Sequence, residues 1–233
     1  MTEALVVAEL ALHELWISFR LLAAIVLVML AGLVGVGVRL LQPLSAPLPW
    51  FAAALGVAAA FLAALAAWSF SAERRRGAAA WLVSRSVPRP AILIGWLGAL
   101  VVPLAVSMLP VGLLGWLTLP HIDAGAYVAA LAACFTDLLA ALCAGLLAGT
   151  LLPRLPAAIV AVLAGVAIAA TGGWLAPESV RALPFPGDGL RLLAELPARE
   201  RPLTDALNAA GASLIAAGLL TAAARLAVER SEL

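Results

Sequence analysis

Apolar residues in this chain fall in long unbroken runs, separated by short stretches that hold nearly all of the charge. Six runs reach the roughly 20 apolar residues that a helix needs to cross a bilayer: residues 21–41, 48–70, 90–118, 125–151, 155–175 and 204–226. Trp16, Trp50, Trp68, Trp116 and Trp174 lie near the ends of these runs, where amphipathic rings favour the membrane interface. The pattern predicts an all-α integral membrane protein, with six transmembrane helices in a single domain over residues 1–233.

Three pieces between the runs carry weaker patterns. Residues 1–20 hold an amphipathic interfacial helix, with Leu5, Ala8, Leu12, Leu15 and Phe19 on one face, Glu9 and His13 opposite, and Glu3 and Glu14 flanking. Such a helix lies along the interface rather than crossing it. Its acidic polar face is repelled by anionic lipid, so it is expected to touch protein, with His13 solvated. Residues 71–89 hold Ala78, Trp81, Leu82 and Arg85 at i, i+3, i+4, i+7 spacing, which predicts a short helix with one contact stripe. Pro88 ends it, and Pro90 sits where the next span begins. Residues 176–203 are punctuated by Pro and Gly, with short helices expected at SVRAL and LRLLAEL.

Composition agrees: 65% of the 233 residues are hydrophobic and 12% charged, whereas soluble domains carry about 25% charged residues. All fourteen basic residues are Arg. Their placement sets the orientation. Arg20, Arg74, Arg75, Arg76, Arg85, Arg89, Arg154, Arg225 and Arg230 fall on one side of the predicted bundle. On the other side, LQPLSAPLP and LPHIDAGA hold no Arg, and the four arginines of residues 176–203 are offset by Glu178, Asp188, Glu195 and Glu200. The positive-inside rule puts both termini in the cytoplasm. The acidic N-terminus does not read as a cleavable signal peptide.

Chemistry-bearing residues are few at membrane depth. Asp137, in CFTDLLAALC, is the one ionisable residue near the middle of a span. A carboxylate there is costly unless paired, which makes it a candidate for a translocation pathway or for a hydrogen bond to a neighbouring helix. Ser107, Thr136 and Thr150 are expected to bond between helices. Cys134 and Cys143 lie nine residues apart on opposite helix faces and cannot pair with each other. No HExxH, Walker A sequence or serine–histidine pair at depth is present. The chain is therefore not expected to be an enzyme or to hold a metal.

That leaves the five arginines between residues 74 and 89. A topology anchor needs only basic residues near a span end, whereas Trp and Arg together mark protein interfaces. Glu73-Arg74, Gly77, Trp81-Leu82 and Ser86-Val87-Pro88-Arg89 before AILIGW resemble the corresponding loop of ABC-2 type permeases, the transmembrane subunits of type V ABC transporters. Ala78 and Ala79 stand where that family often has Thr and an acidic residue, and Trp96 where it often has Lys.

The resemblance implies that residues 71–89 form a coupling helix docking onto an ABC ATPase subunit through Glu73, Arg74, Arg75, Arg76, Gly77, Trp81, Leu82, Arg85, Pro88 and Arg89. It implies a connecting helix over residues 1–20 with contacts from Glu14 and Arg20, and short external helices between spans five and six. It further implies an exporter in the bacterial cytoplasmic (inner) membrane, built with a second permease subunit and contacting lipid. ATP and Mg would sit on the partner ATPase, with no cofactor in this chain and no nucleic-acid partner. A different class, a non-transporting scaffold or assembly factor, would use the same loop to recruit another soluble protein.

Overall fold

The computed structural model describes residues 2–41, 46–76, 87–117, 122–171 and 185–230. They form α1 (Thr2–Ile17), α2 (Arg20–Leu41), α3 (Pro47–Arg76), α4 (Arg89–Leu117), α5 (Ala124–Leu151), α6 (Arg154–Thr171), α7 (Asp188–Glu195) and α8 (Pro202–Arg230). A single 3₁₀ turn, Leu196–Ala198, follows α7, and the described residues hold no strand. Helices α2, α3, α4, α5 and α8 are each long and apolar enough to cross a bilayer. The chain is a multi-pass membrane protein. The run expected at 155–175 appears as α6, whose 18 residues make a helix about 27 Å long, slightly short of the roughly 30 Å hydrocarbon core.

Several boundaries differ from the sequence expectation. α3 continues to Arg76, so the first third of the predicted 71–89 loop is helix. Ala, Glu and Arg are all strong helix formers, and SAERRR extends the span as a polar final turn and a half. α8 likewise runs to Arg230 rather than 226. Residues 77–86 and 172–184, which carry the expected Trp81 stripe and the SVRAL turn, lie outside the described residues.

α3 is the hub, packing against α2, α5, α6 and α7. Lipid tails are as apolar as leucine, so burial of apolar surface gives little drive for helix association, and close packing of small residues takes over. Ala58, Ala59, Ala63, Ala66 and Ala67 of α3 are all buried. Gly145 and Gly149 of α5 lie directly on the Ala63 and Ala67 backbone, and a Cβ built on Gly165 of α6 would stand 2.6 Å from the Ala60 Cα. On the far side, Gly35 of α2 faces the Phe51 ring. Phe70 and Trp96 meet edge to face, with centroids 6.1 Å apart, joining α3 to α4.

α1 packs along α4, through a face that shares Leu15 with the predicted one, leaves Ala8 and Leu12 half-buried, and is rotated toward Val7 and Ala11. Val7, Ala11 and Leu15 are buried, while Leu5 and Phe19 are exposed. Both flanks of α1 are apolar, so periodicity alone did not fix the buried face. Close approach did: a Cβ on Gly95 of α4 would stand 2.6 Å from Val7. Glu9 and His13 point away from the bundle, as expected. α1 turns into α2 at Phe19, whose φ of 57° is a left-handed conformation that costs a non-glycine residue about 1–2 kcal/mol.

Three of the polar side chains inside the spans turn back on their own helices. The hydroxyls of Ser107, Thr136 and Thr150 donate to the carbonyls of Leu104, Ala133 and Leu147 at 3.0, 2.7 and 2.6 Å, not to neighbouring helices as expected. Donation to a carbonyl one turn back is available in every helix and needs no partner. Cys134 and Cys143 are both buried free thiols.

Candidate functional site

Two sets of polar contacts stand out, one at the arginine-rich end and one around Asp137. At the arginine-rich end, α3 finishes and α4 begins, and the last turns of α5 and α8 close in beside them. The last carbonyls of a helix have no partner within it and carry the negative end of its dipole. The Arg74 guanidinium fills that need for α5, donating to the carbonyls of Gly149, at 3.3 Å, and of Thr150. Arg89 does the same for α8, donating to the Glu229 carbonyl at 3.1 Å. Pro88 opens α4, its carbonyl accepting the Ala91 N–H at 2.9 Å.

The two ends of the predicted docking loop are thus fastened to the ends of two further helices. Glu73 is half-buried beside Arg74. Arg75 and Arg76 fall in the last turn of α3, and nothing further is described of their side chains. Gly77, Trp81, Leu82 and Arg85 lie outside the described residues. Of the connecting-helix residues, Arg20 opens α2, and the Glu14 carbonyl accepts the Ser18 hydroxyl at 2.7 Å just before the Phe19 corner.

Asp137 is far from this end, about 20 Å along α5 from Thr150 at 1.5 Å per residue. It is 0% exposed. Its carboxylate accepts the Gly187 N–H at 3.0 Å and the Leu190 N–H at 2.9 Å, and the Ser213 hydroxyl of α8 donates to it as well. Gly187 and Leu190 are the cap and third residues of α7. An N-terminal cap normally comes from the residue at the cap position, whose side chain takes the third N–H. Gly187 has no side chain and sits at φ 102°, so Asp137 supplies the cap from a different helix. A carboxylate is well suited to this place, because the helix dipole favours negative charge there.

Glycine makes the approach possible. A Cβ on Gly189 would stand 2.5 Å from the Ala133 backbone and 2.8 Å from the Asp137 carboxylate. The Cys134 thiol also reaches the Gly189 carbonyl, at 3.2 Å. Leu190, Leu192 and Leu193 are buried, so α7 is seated in the bundle against α3, α5 and α8 rather than lying over its surface. Arg199 then ties the turn after α7 to α8, pairing with Glu195 at 2.7 Å and Asp205 at 3.6 Å.

Sequence reasoning found Asp137 but not its partners. Two are backbone N–H groups, whose one sequence signal is the PGDG turn that frees them, and the third is a single serine in an alanine-rich span. The capping roles of Arg74 and Arg89 were also missed. Among the described residues no group of three or more His, Cys, Asp or Glu side chains converges as a metal site. No family model, no curated protein and no solved structure matches this chain.

Proposed function

We propose that this chain is the membrane-embedded permease subunit of an ABC transporter of the ABC-2 type, acting as an exporter in a bacterial cytoplasmic membrane. The supporting observation is mechanical. Arg74 and Arg89 stand at the two ends of the 71–89 segment, and each grips the C-terminal carbonyls of a different helix, α5 and α8. A push on that segment would move α3 and α4 directly, and α5 and α8 through the two arginines. Four helices would then move together, as a device coupled to a separate ATPase requires. In this reading both termini are cytoplasmic, α6 is the remaining span, and ATP and Mg stay on the partner ATPase. Glu73, Arg75, Arg76, Trp81, Leu82 and Arg85 make the docking contact.

Asp137 enters this reading as a fastener. All three of its partners belong to α7 and α8, so its first task is to hold the external helix in the bundle. A role in the translocation pathway would require α7 to leave. A scaffold that recruits a different soluble protein through the same loop is the second reading, favoured by the satisfaction of the Ser107, Thr136 and Thr150 hydroxyls within their own helices and of Asp137 by the Gly187 and Leu190 N–H groups and Ser213.

Co-purification tests the proposal. The chain is expressed with its neighbouring genes, solubilised gently, and its bound proteins identified. A stoichiometric ABC ATPase, released by Trp81→Ala with Leu82→Arg, is expected. Recovery with a partner lacking a nucleotide site would replace the transporter with the scaffold.

A further inference from the structure

At the arginine-rich end, α3, α5 and α8 enclose a groove of about 520 Å³, lined by Leu151, Ala223, Leu226 and Ala227 together with Arg74 and Arg230. Leu151, Ala223 and Leu226 are exposed, so the groove opens on the surroundings of the bundle. Its two arginines stand at a definite depth. Arg74 lies four residues beyond the 48–70 run, and Arg230 four beyond the 204–226 run, about 6 Å past each at 1.5 Å per residue. The headgroup layer on each side of a bilayer is about 5–8 Å thick. Both guanidinium groups therefore fall at the level of the lipid phosphates. Leu151, Ala223 and Leu226 belong to the apolar runs and fall at the level where the acyl chains begin.

The charge of this groove is not cancelled from within. Arg230 is exposed and has no ion-pair or hydrogen-bond partner among the described residues. Arg74 uses Nη1 for the Gly149 and Thr150 carbonyls, which leaves the Nη2 and Nε donors of its fork. Of the nearby carboxylates, Glu229 is held by Arg225 at 2.8 Å, and Glu73 stands about 100° round the helix from Arg74. Neither lines the groove. Two guanidinium charges, less about half a charge for each C-terminal end of α5 and α8, leave about +1. One phosphodiester balances that. The groove between α3, α6 and α7 at the opposite end also holds an arginine, Arg191, but Glu195 lines it too and pairs with Arg191 at 3.2 Å.

We propose that the groove between α3, α5 and α8 binds one anionic phospholipid, with its phosphate on Arg74 and Arg230 and an acyl chain along Leu151, Ala223 and Leu226. Guanidinium groups match phosphate closely, because their N–H donors meet its oxygens as charge-assisted hydrogen bonds. A free phosphate would engage the arginines alone, whereas a lipid satisfies the charge and covers the apolar wall beneath it. Basic pockets between membrane helices hold anionic headgroups in this way. Helices α3 and α8 both pack on α5 but scarcely on each other, and the bound phosphate bridges them. The inference requires only that the chain spans a membrane, and no ATPase, so it stands or falls separately from the transporter reading.

Native mass spectrometry of the full chain, purified in detergent with no ATPase, tests it by titration with phosphatidylglycerol and with phosphatidylcholine of the same acyl chains. Phosphatidylglycerol is expected to saturate first at one molecule per chain, at a concentration about fivefold or more below that for phosphatidylcholine. Arg230→Gln should raise that concentration about fivefold, the worth of one basic side chain at an anionic surface. Arg225→Gln, which removes the same charge from the same helix outside the groove, should leave it unchanged. Ala223→Phe keeps both arginines but fills the apolar wall, and should weaken binding as much as Arg230→Gln. Excess inorganic phosphate should not displace the lipid. All three positions are exposed, and melting in the same detergent checks the fold of each variant. Four results would overturn the proposal. No retained phosphatidylglycerol, or equal affinity for the two lipids, would remove the anionic site. Equal weakening by Arg230→Gln and Arg225→Gln would reduce it to diffuse surface charge. Displacement by inorganic phosphate, or full binding in Ala223→Phe, would mark a site for a free anion.

Discussion

Asp137 and Gly187 lie fifty residues apart in sequence and are joined by a 3.0 Å hydrogen bond from the Gly187 N–H to the buried carboxylate. With the 2.9 Å bond from Leu190, this makes a side chain of the long apolar helix α5 the cap of the short helix α7. The arrangement explains how a charged residue persists at 0% exposure: it replaces hydration with two oriented N–H groups and a hydroxyl.

Asp137→Asn should therefore not behave as a neutral replacement. Its amide keeps one acceptor but turns an NH₂ toward a backbone N–H, so one donor at the start of α7 is left unpaired. The expected cost is about 1–3 kcal/mol, and Asp137→Ala, which strands both N–H groups, should cost more. Thermal unfolding in detergent measures the loss. Hydrogen exchange localises it: the Gly187 and Leu190 amides should lose protection while the α3–α5 contact keeps its own. Uniform loss across the bundle would show that Asp137 has a global role and does not act through α7.

Asp188, next to the cap, gives a pH dependence of defined sign. Burial raises its pKa above the ordinary 3.8, outweighing the Phe185 N–H and the charges of Arg191 and Arg199, which lower it. The folded chain thus holds this proton to higher pH than the unfolded chain does. Stability contributed by Asp188 is greatest below pH 3.8 and falls as pH rises through the folded pKa. Unfolding midpoints across this acid range should show that downward slope. Asp188→Asn, which can still accept the 2.7 Å bond from the Phe185 N–H, should flatten it.

The membrane class was legible because a bilayer imposes a run length that no soluble fold needs, and five of the six expected runs are helices of spanning length. The packed face of α1 was only partly legible, because Leu5, Leu10 and Trp16 are as apolar as Val7 and Leu15, and the choice depended on Gly95 in a different helix. The end of α3 was misplaced because charge reads as loop, although Glu73, Arg74, Arg75 and Arg76 have the propensity to continue a helix. For Asp137, an isolated carboxylate in an apolar run announces itself. Its partners on α7 are backbone groups, which every residue but proline carries, and no pattern of side chains marks them.

Two glycine substitutions separate close packing from open space. Gly145→Ala places a methyl against the Ala63 carbonyl, a rigid backbone neighbour, and should force α5 away from α3 at a cost of about 1–3 kcal/mol. Gly37→Ala, with nothing within 4 Å, should be neutral or stabilise by up to about 1 kcal/mol through helix propensity. Melting of the two variants in the same detergent makes the comparison. Equal effects would mean that the Gly145 contact relaxes without loss and that the α3–α5 approach is not held by that glycine.

Arg74 separates structural from docking roles at the arginine-rich end. If basic residues there serve as a topology anchor and a binding surface and nothing more, Arg74→Ala leaves the isolated chain as stable as before. The guanidinium instead donates to two terminal carbonyls of α5, and hydrogen bonds from a charged group are worth about 1.5–3 kcal/mol. Arg74→Ala should therefore lower the melting temperature of the purified chain with no partner present. Arg74→Lys should recover part of the loss, since an ammonium supplies the charge and the donors but is a compact, strongly hydrated group on a shorter stem than the guanidinium whose Nη1 bonds both carbonyls. The proteolysis pattern of α5 gives the location: its last turn, from Ala148 to Leu151, should become the new cleavage site. An unchanged melt together with lost partner binding would assign Arg74 to the docking surface alone and remove α5 from the group of helices that the loop moves.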